Sequence, residues 1–257
     1  MFSSKERNPL ASAFGAAARL VAAGVLLAGA FGVQPAAAQV TQAVTASFAP
    51  LTDESSPDRK GLIHDVVAEM LKLQGISAPI QFMAWSEAVK IADGKPGTII
   101  FPMTRTPQRE DKYLWLAKVF DMNRSFVTRP GSPAVNTVEA AKALKAVGTT
   151  EASASLTFLK AKEFTNIVEI KSSRELMQAL KDGKVDAVYQ PNPFAKADWK
   201  AVGGDGALTV GEVQEVAAAY LAANKQSSLN PDDWQGALQV LEQDGTFEKL
   251  VQAYGMN

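Results

Sequence analysis

Cysteine is absent from the chain, which excludes disulfides, thiol catalysis and a lipid-bearing N-terminal cysteine. Histidine occurs once, at His64, so a zinc site of histidine and cysteine is excluded and no metal is expected. His64 itself stands at a helix start beside Asp65, where no functional role is assigned to it. Neither sign of charge dominates: 26 Lys and Arg face 27 Asp and Glu, and three of the basic but one of the acidic residues precede residue 39. That balance removes the electrostatic case for nucleic acid or an anionic membrane surface as partner. The glycine-rich dinucleotide and phosphate signatures, the nucleophile elbow and the HExxH zinc signature are all missing, so no cofactor is expected. No internal repeat is present. Long apolar runs are missing too: Leu20–Val33 spans 14 residues, against the roughly 18–20 that cross a bilayer as a helix.

That short run is informative in its context. Lys5 and Arg7 precede it, and Ala36-Ala37-Ala38 follows it with the small residues that a signal peptidase reads. Residues 1–38 are therefore expected to be a signal peptide, leaving a mature chain from Gln39 exported to the periplasm. The remaining length suits one large domain or two small ones.

Along the mature chain, Val40 to Phe48 reads as a strand. The apolar positions Ile63, Val66, Val67, Met70 and Leu71 have helical spacing, which Gly75 ends. A strand over Pro79–Met83, a helix over Trp85–Ala92 and a buried strand over Thr98–Phe101 complete a βαβα series, which favours parallel strands with helices on their faces. Tyr113 to Phe120 and Arg124 to Thr128 read as extended chain, and a second α/β series starts after Pro130-Gly131. There Ser153 can cap a helix, Ser172-x-x-Glu175 forms a capping box, and Val185 to Tyr189 is a buried strand closed by Pro191 and Pro193. Glu212 to Ala223 carries strand and helix signals together. Asn230-Pro231 opens a further helix, and Phe247 to Tyr254 a last short one.

The stretch Thr104 to Glu110, TRTPQRE, carries Arg105 and Arg109 out of the end of a buried strand. Ligands of open α/β sheets sit beyond the carboxyl ends of strands. The planar guanidinium can grip a carboxylate there through two charge-assisted hydrogen bonds. The competing reading is a surface arginine paired with Glu110 or Asp111.

Four segments in order resemble the extracellular solute-binding proteins of family 3, the receptors of ABC-type uptake systems for amino acids and related polar solutes. TRTPQRE resembles the family's T-x-T-P-x-R-E, and Gly61 to Val66 its G-F-x-x-D-L helix start with Asp65 as the acidic residue. Gly183-Lys-Val-Asp-Ala187 is similar to G-x-x-D-A. Leu241-Glu-Gln-Asp-Gly-Thr-Phe-Glu-Lys-Leu250 with Tyr254-Gly255 is similar to the closing L-x-x-D-G-T-[YF]-x-K-[IL]…Y-G.

The resemblance implies an α/β, two-lobed periplasmic binding protein fold of type II whose lobes are joined by a two-strand hinge. Lobe one would hold 39–121 plus 217–257, and lobe two 122–216, with a ligand in the cleft between them. It implies no enzyme and no catalytic residue. The partners implied are a small-molecule ligand and an ABC permease in the inner membrane, with the receptor itself a monomer. By the same resemblance Arg109 matches the arginine that holds a ligand carboxylate. Thr104 and Ser153 match hydroxyl positions, and Phe48 an aromatic that stacks on ligand; Trp85 falls near the same rim.

The departures bear on specificity. The aspartate that pairs with the ammonium of an α-amino acid is Pro191 here, a serine-like position is Pro102, and the glycine before the second hydroxyl is Ala152. Gln190 and Asn192 offer amides in that neighbourhood, while Glu151 or Asp121 could supply a charge. The expectation is a binder of a small carboxylate-bearing solute, an amino acid or related, that takes ordinary α-amino acids poorly; the runner-up is that Glu151 or Asp121 pairs with the ammonium and ordinary amino acids remain the ligands. A sensory or orphan binding protein, and a periplasmic dehydratase-like enzyme using Glu151 or Asp121, are the alternatives.

The leader reading predicts an intact mass for the periplasmic protein that begins at Gln39. A full-length species in the membrane pellet would contradict it.

Overall fold

The computed structural model describes residues 40–256, so the expected leader and its expected cleavage point lie outside the described residues. A single sheet has the strand order β2-β1-β3-β8-β4-β7-β5-β6. On one side, β1 (Gln42–Thr45) lies parallel between β2 (Ile80–Phe82) and β3 (Thr98–Thr104), with α1 (Leu62–Leu73) and α2 (Trp85–Gly94) as crossovers. On the other, β5 (Val147–Thr150) lies parallel between β6 (Ile167–Ile170) and β7 (Ala187–Pro191), reached through α4 (Ala154–Ala161) and α5 (Ser173–Lys181). The short α3 (Val138–Lys142) precedes β5, and α6 (Asn192–Ala201) follows β7 directly.

Two strands of 16 residues join these halves: β4 (Tyr113–Thr128) and β8 (Thr209–Asn224) run antiparallel to one another. The two hydrophobic segments expected around 113–120 and 124–128 are thus one strand, and the ambiguous stretch 212–223 is its partner. Side chains sort into separate cores on either side of the middle of this pair. One core takes Val40 through Met122 and Ala219 through Val251, with Phe194 inserted into it. The others gather Phe126, Val127 and the residues of β5–β7 and α4–α6. This is a two-lobed α/β fold with two connecting strands. The chain returns to the first core with α7 (Pro231–Gln243) and α8 (Thr246–Ala253), whose Trp234, Leu238, Leu241 and Val251 are buried.

Local chemistry agrees with the capping signals. Ser153, Ser172 and Asn230 each accept a hydrogen bond from a backbone N–H of the first turn they precede. Some of the segments that resemble family motifs are held by structural clasps. Tyr254 donates its hydroxyl to Asp65 Oδ2 at 2.5 Å and accepts from the Gly61 N–H at 3.0 Å, so the closing helix is tied to the start of α1. Asp186 Oδ2 accepts from the N–H groups of Lys145 and Ala146, tying the entry of β7 to that of β5. His64 is hydrogen-bonded to Asp65 and stacked on Phe82. Among the described residues, no helix is long and apolar enough to cross a membrane.

Gly61 precedes α1 at φ 109°, and a Cβ there would meet the Leu51 carbonyl at 2.5 Å. Both the left-handed backbone and the close approach require glycine. Gly61→Ala is expected to lower the free energy of urea unfolding by about 2–4 kcal/mol. An unchanged midpoint would show that the Leu51–Gly61 contact is not as tight as described.

Candidate functional site

The end of β3 turns sharply after Thr104, because Pro107 ends extended structure, and the turn swings Arg105 and Arg109 in opposite directions. Arg105 is exposed: its Nε donates to Glu110 Oε2 at 2.8 Å, and its guanidinium lies over Trp115 and Tyr220. It takes the surface role. Arg109 turns inward and is only 9 % exposed. Its Nη1 donates to the Thr104 carbonyl at 3.1 Å and its Nη2 to the Ala152 carbonyl at 2.8 Å. Burial, with Arg124 adding repulsion, holds its pKa down to about 10, partly offset by Tyr113 and Asp93. Both acceptors are neutral. A buried cation without an anion is costly, and the arrangement therefore favours an anion beside it.

That space is a cavity of about 40 Å³ between the two halves of the fold. Arg109, Thr104, Ser153, Phe48, Trp85 and Gln190 all line it, so six of the seven residues singled out in the sequence come together. Phe48 is stacked on Phe194 at 5.0 Å between ring centres, with Trp85 edge-on at 5.3 Å. The aromatic wall is thus both core and lining. Ser153 caps α4, accepting from Leu156 N–H at 3.1 Å, which leaves its own hydroxyl proton free for the cavity. Ala154 and Ser155 of the first turn also line the space, where free N–H groups suit an anion. Ala152, in place of a glycine, holds φ 54° and aims its carbonyl at Arg109.

The seventh residue lies elsewhere. Asn192 starts α6 and donates Nδ2 to Ser125 Oγ at 3.2 Å, and it faces an open depression shared with Asp121, Lys196 and Tyr254. A helix beginning immediately after β7 rotates it away from Gln190. Neither acidic alternate reaches the cavity: Asp121 is exposed and paired with Lys118 at 2.8 Å, and Glu151 is not in the lining. Pro102 and Pro191 do line it.

Sequence reasoning missed Arg124. It projects from the middle of β4, is 2 % exposed and lines the cavity. Its Nη1 donates to Glu215 Oε2 at 2.7 Å, directly across the β4–β8 pair, and its Nη2 to Thr104 Oγ1 at 2.6 Å. Nε has no partner. No local signal marked it, since its neighbours in the strand, Asn123 and Ser125, are polar. Among the described residues, no group of three His, Cys, Asp or Glu side chains could hold a metal.

Behind Gln190 sits a buried acid. The Ser173 hydroxyl lies 3.0 Å from Gln190 Oε1 and 2.5 Å from Asp198 Oδ2, and Gln190 Nε2 donates to Met177 Sδ. Burial pushes the Asp198 carboxyl up to about 6, against the lowering effects of the Ser173 hydrogen bond and Arg174. The native protein therefore keeps a proton that the unfolded chain releases near pH 4. The stability this provides is complete below about pH 4 and lost as pH rises through about 6. Asp198→Asn, whose amide can still donate to Ser173, is expected to be more stable than wild type by on the order of 2 kcal/mol above about pH 7, with no difference below about pH 4. Equal urea midpoints at both pH values would contradict a neutral buried Asp198.

Comparison with known proteins supplies the context for this site. A family model described as bacterial extracellular solute-binding proteins, family 3, matches residues 40–257. No curated protein sequence matches. Similar solved structures include the GluR0 ligand-binding core of Nostoc punctiforme in complex with L-glutamate, with TM-score 0.73, 18% identity, and 84% of this chain and 100% of that one covered. A histidine kinase sensor domain with similarity to periplasmic binding proteins has TM-score 0.74 at 12% identity, over 84% of this chain and 96% of its own. An ABC uptake transporter substrate-binding protein from Streptococcus pneumoniae with bound histidine has TM-score 0.72 at 17% identity, over 83% of this chain and 92% of its own.

Proposed function

The chain belongs to the bacterial extracellular solute-binding proteins, family 3, and from that premise we propose that it captures a small carboxylate-bearing solute for an ABC-type permease. The observation that carries the reading is Arg109: a buried guanidinium bonded only to two carbonyls, at the edge of a cavity between two cores. Membership in an extracellular family supports action outside the cytoplasm, after removal of the N-terminal 38 residues. Binding rather than turnover fits a lining in which no Asp or Glu stands ready for acid–base work.

The proposed lobes are 39–121 with 217–257, and 122–216, and the proposed hinge is the β4–β8 pair around Asp121–Arg124 and Val213–Ala217. The ligand would select the closed form because Arg109 and the α4 start contact it together only there. The hydrogen bond from Arg109 to the Ala152 carbonyl joins those same two sides. A sensory role without a permease is the second reading, favoured by the likeness to a histidine kinase sensor domain.

The lining also supports a choice among ligands. An ammonium enclosed in this cavity would need an anionic or multi-acceptor partner, at a cost of several kcal/mol without one. Pro191 stands where that partner would be, and Glu151 and Asp121 lie outside the lining. Small carboxylates without an ammonium, or amino acids modified there, are expected to raise the melting temperature, by an amount equivalent to about 4 kcal/mol at about 1,000 times Kd. Ordinary α-amino acids are expected to give little shift, and clear shifts with several of them would overturn the reading. With an acid that binds, Arg109→Ala is expected to weaken calorimetric affinity by about 2–5 kcal/mol. Arg109→Lys should recover part of it, since a point charge lacks the planar fork.

A further inference from the structure

We propose that the ligand is a short-chain 2-oxo acid, its carboxylate held by Arg109 and its neighbouring keto oxygen by Arg124. This rests on reading the cavity as the ligand site. Charge comes first. Two guanidiniums line the space, and Glu215 already pairs with one of them. One positive charge remains to be balanced, which a single carboxylate does; a second carboxylate would have to displace Glu215.

Hydrogen-bonding capacity comes next. The lining carries N–H donors that cannot accept, with the Thr150, Ser153 and Ser155 hydroxyls able to turn either way and no carboxylate. Donors are the Ser153 hydroxyl, the N–H groups at the start of α4, and the guanidiniums of Arg109 and Arg124. On the acceptor side, Gln190 Oε1 faces the Ser173 hydroxyl, and the Thr104 and Ala152 carbonyls face Arg109. A ligand that brings oxygens and no N–H or O–H meets this lining without leaving a buried donor of its own unpaired. A keto oxygen satisfies that condition. A ligand hydroxyl would need one of the lining hydroxyls turned to accept its proton, and an ammonium would meet no carboxylate there.

Size and shape complete the case. The space open to water-sized centres is about 40 Å³, which suits a small ligand of a few heavy atoms. The apolar side of the cavity, formed by Phe48, Trp85, Phe194 and Met122, suits a methyl or ethyl end. A long or branched chain would have to part the Phe48–Phe194 stack.

Matched pairs test this by isothermal calorimetry on the mature wild-type protein: pyruvate against propionate, and 2-oxobutyrate against butyrate. Each oxo acid is expected to bind about tenfold to a hundredfold more tightly than its deoxy partner, the scale of one hydrogen bond to a buried charged donor. Arg124→Met is expected to bring the affinity of pyruvate down towards that of propionate, with the melt of the free variant reporting whether it folds. Equal affinities within both pairs overturn the proposal and leave the carboxylate reading standing. An oxo-acid advantage that survives in folded Arg124→Met overturns the assignment to Arg124. Failure of all four acids to bind overturns the proposal, and failure of every carboxylate in the melting panel overturns the broader reading with it.

Discussion

A buried positive charge without its own anion is the constraint on which the rest of this structure depends. Arg109 is enclosed at the end of β3, and two backbone carbonyls are its hydrogen-bond acceptors. Those bonds orient the guanidinium but do not neutralise it, and burial lowers its pKa. On the proposed reading, an anionic ligand would relieve the cost of that burial where it is greatest, in the enclosed state. Ligand affinity and closure would then be two aspects of one electrostatic balance.

The surrounding elements are arranged so that this balance reaches both cores. The Thr104 carbonyl comes from one side of the sheet and the Ala152 carbonyl from the other. Ala152 accepts a left-handed backbone, uncommon for a residue with a Cβ, in the loop that also sets Ser153 and the start of α4 against the cavity. Between the two sides, Arg124 and Glu215 face each other across β4 and β8, and Arg124 reaches on to the Thr104 hydroxyl. The connecting strands therefore contribute to the site directly as well as joining the lobes.

Much of the α/β succession was legible in sequence, because helical spacing, caps and turns are local signals. What escaped was set by distant contacts. The alanine-rich β8 looks as much like helix as strand until it is hydrogen-bonded between β3 and β4, where pairing on both edges overrides propensity. Helix α6 was hidden by Pro191 and Pro193, which read as the end of a strand, although proline in a first turn also opens a helix. That oversight left Asn192 assigned to the site when the helix turns it away. Arg105 and Arg109 were chemically equivalent in the sequence, and the resemblance to a family motif separated them; the structure adds why, with Glu110 and an aromatic pair holding Arg105 at the surface. Arg124 could not be found locally, since its partner Glu215 lies 91 residues away.

The most direct test of the central claim is the identity of the molecule the protein carries. Purified from periplasm without refolding, then denatured and filtered, it should release its ligand for mass spectrometry. The account predicts a small acid of a few carbons, detected as an anion and unreactive towards amine-labelling reagents. Release of an unmodified α-amino acid in amounts equal to the protein would contradict it, because no Asp or Glu lines the cavity to pair with the ammonium.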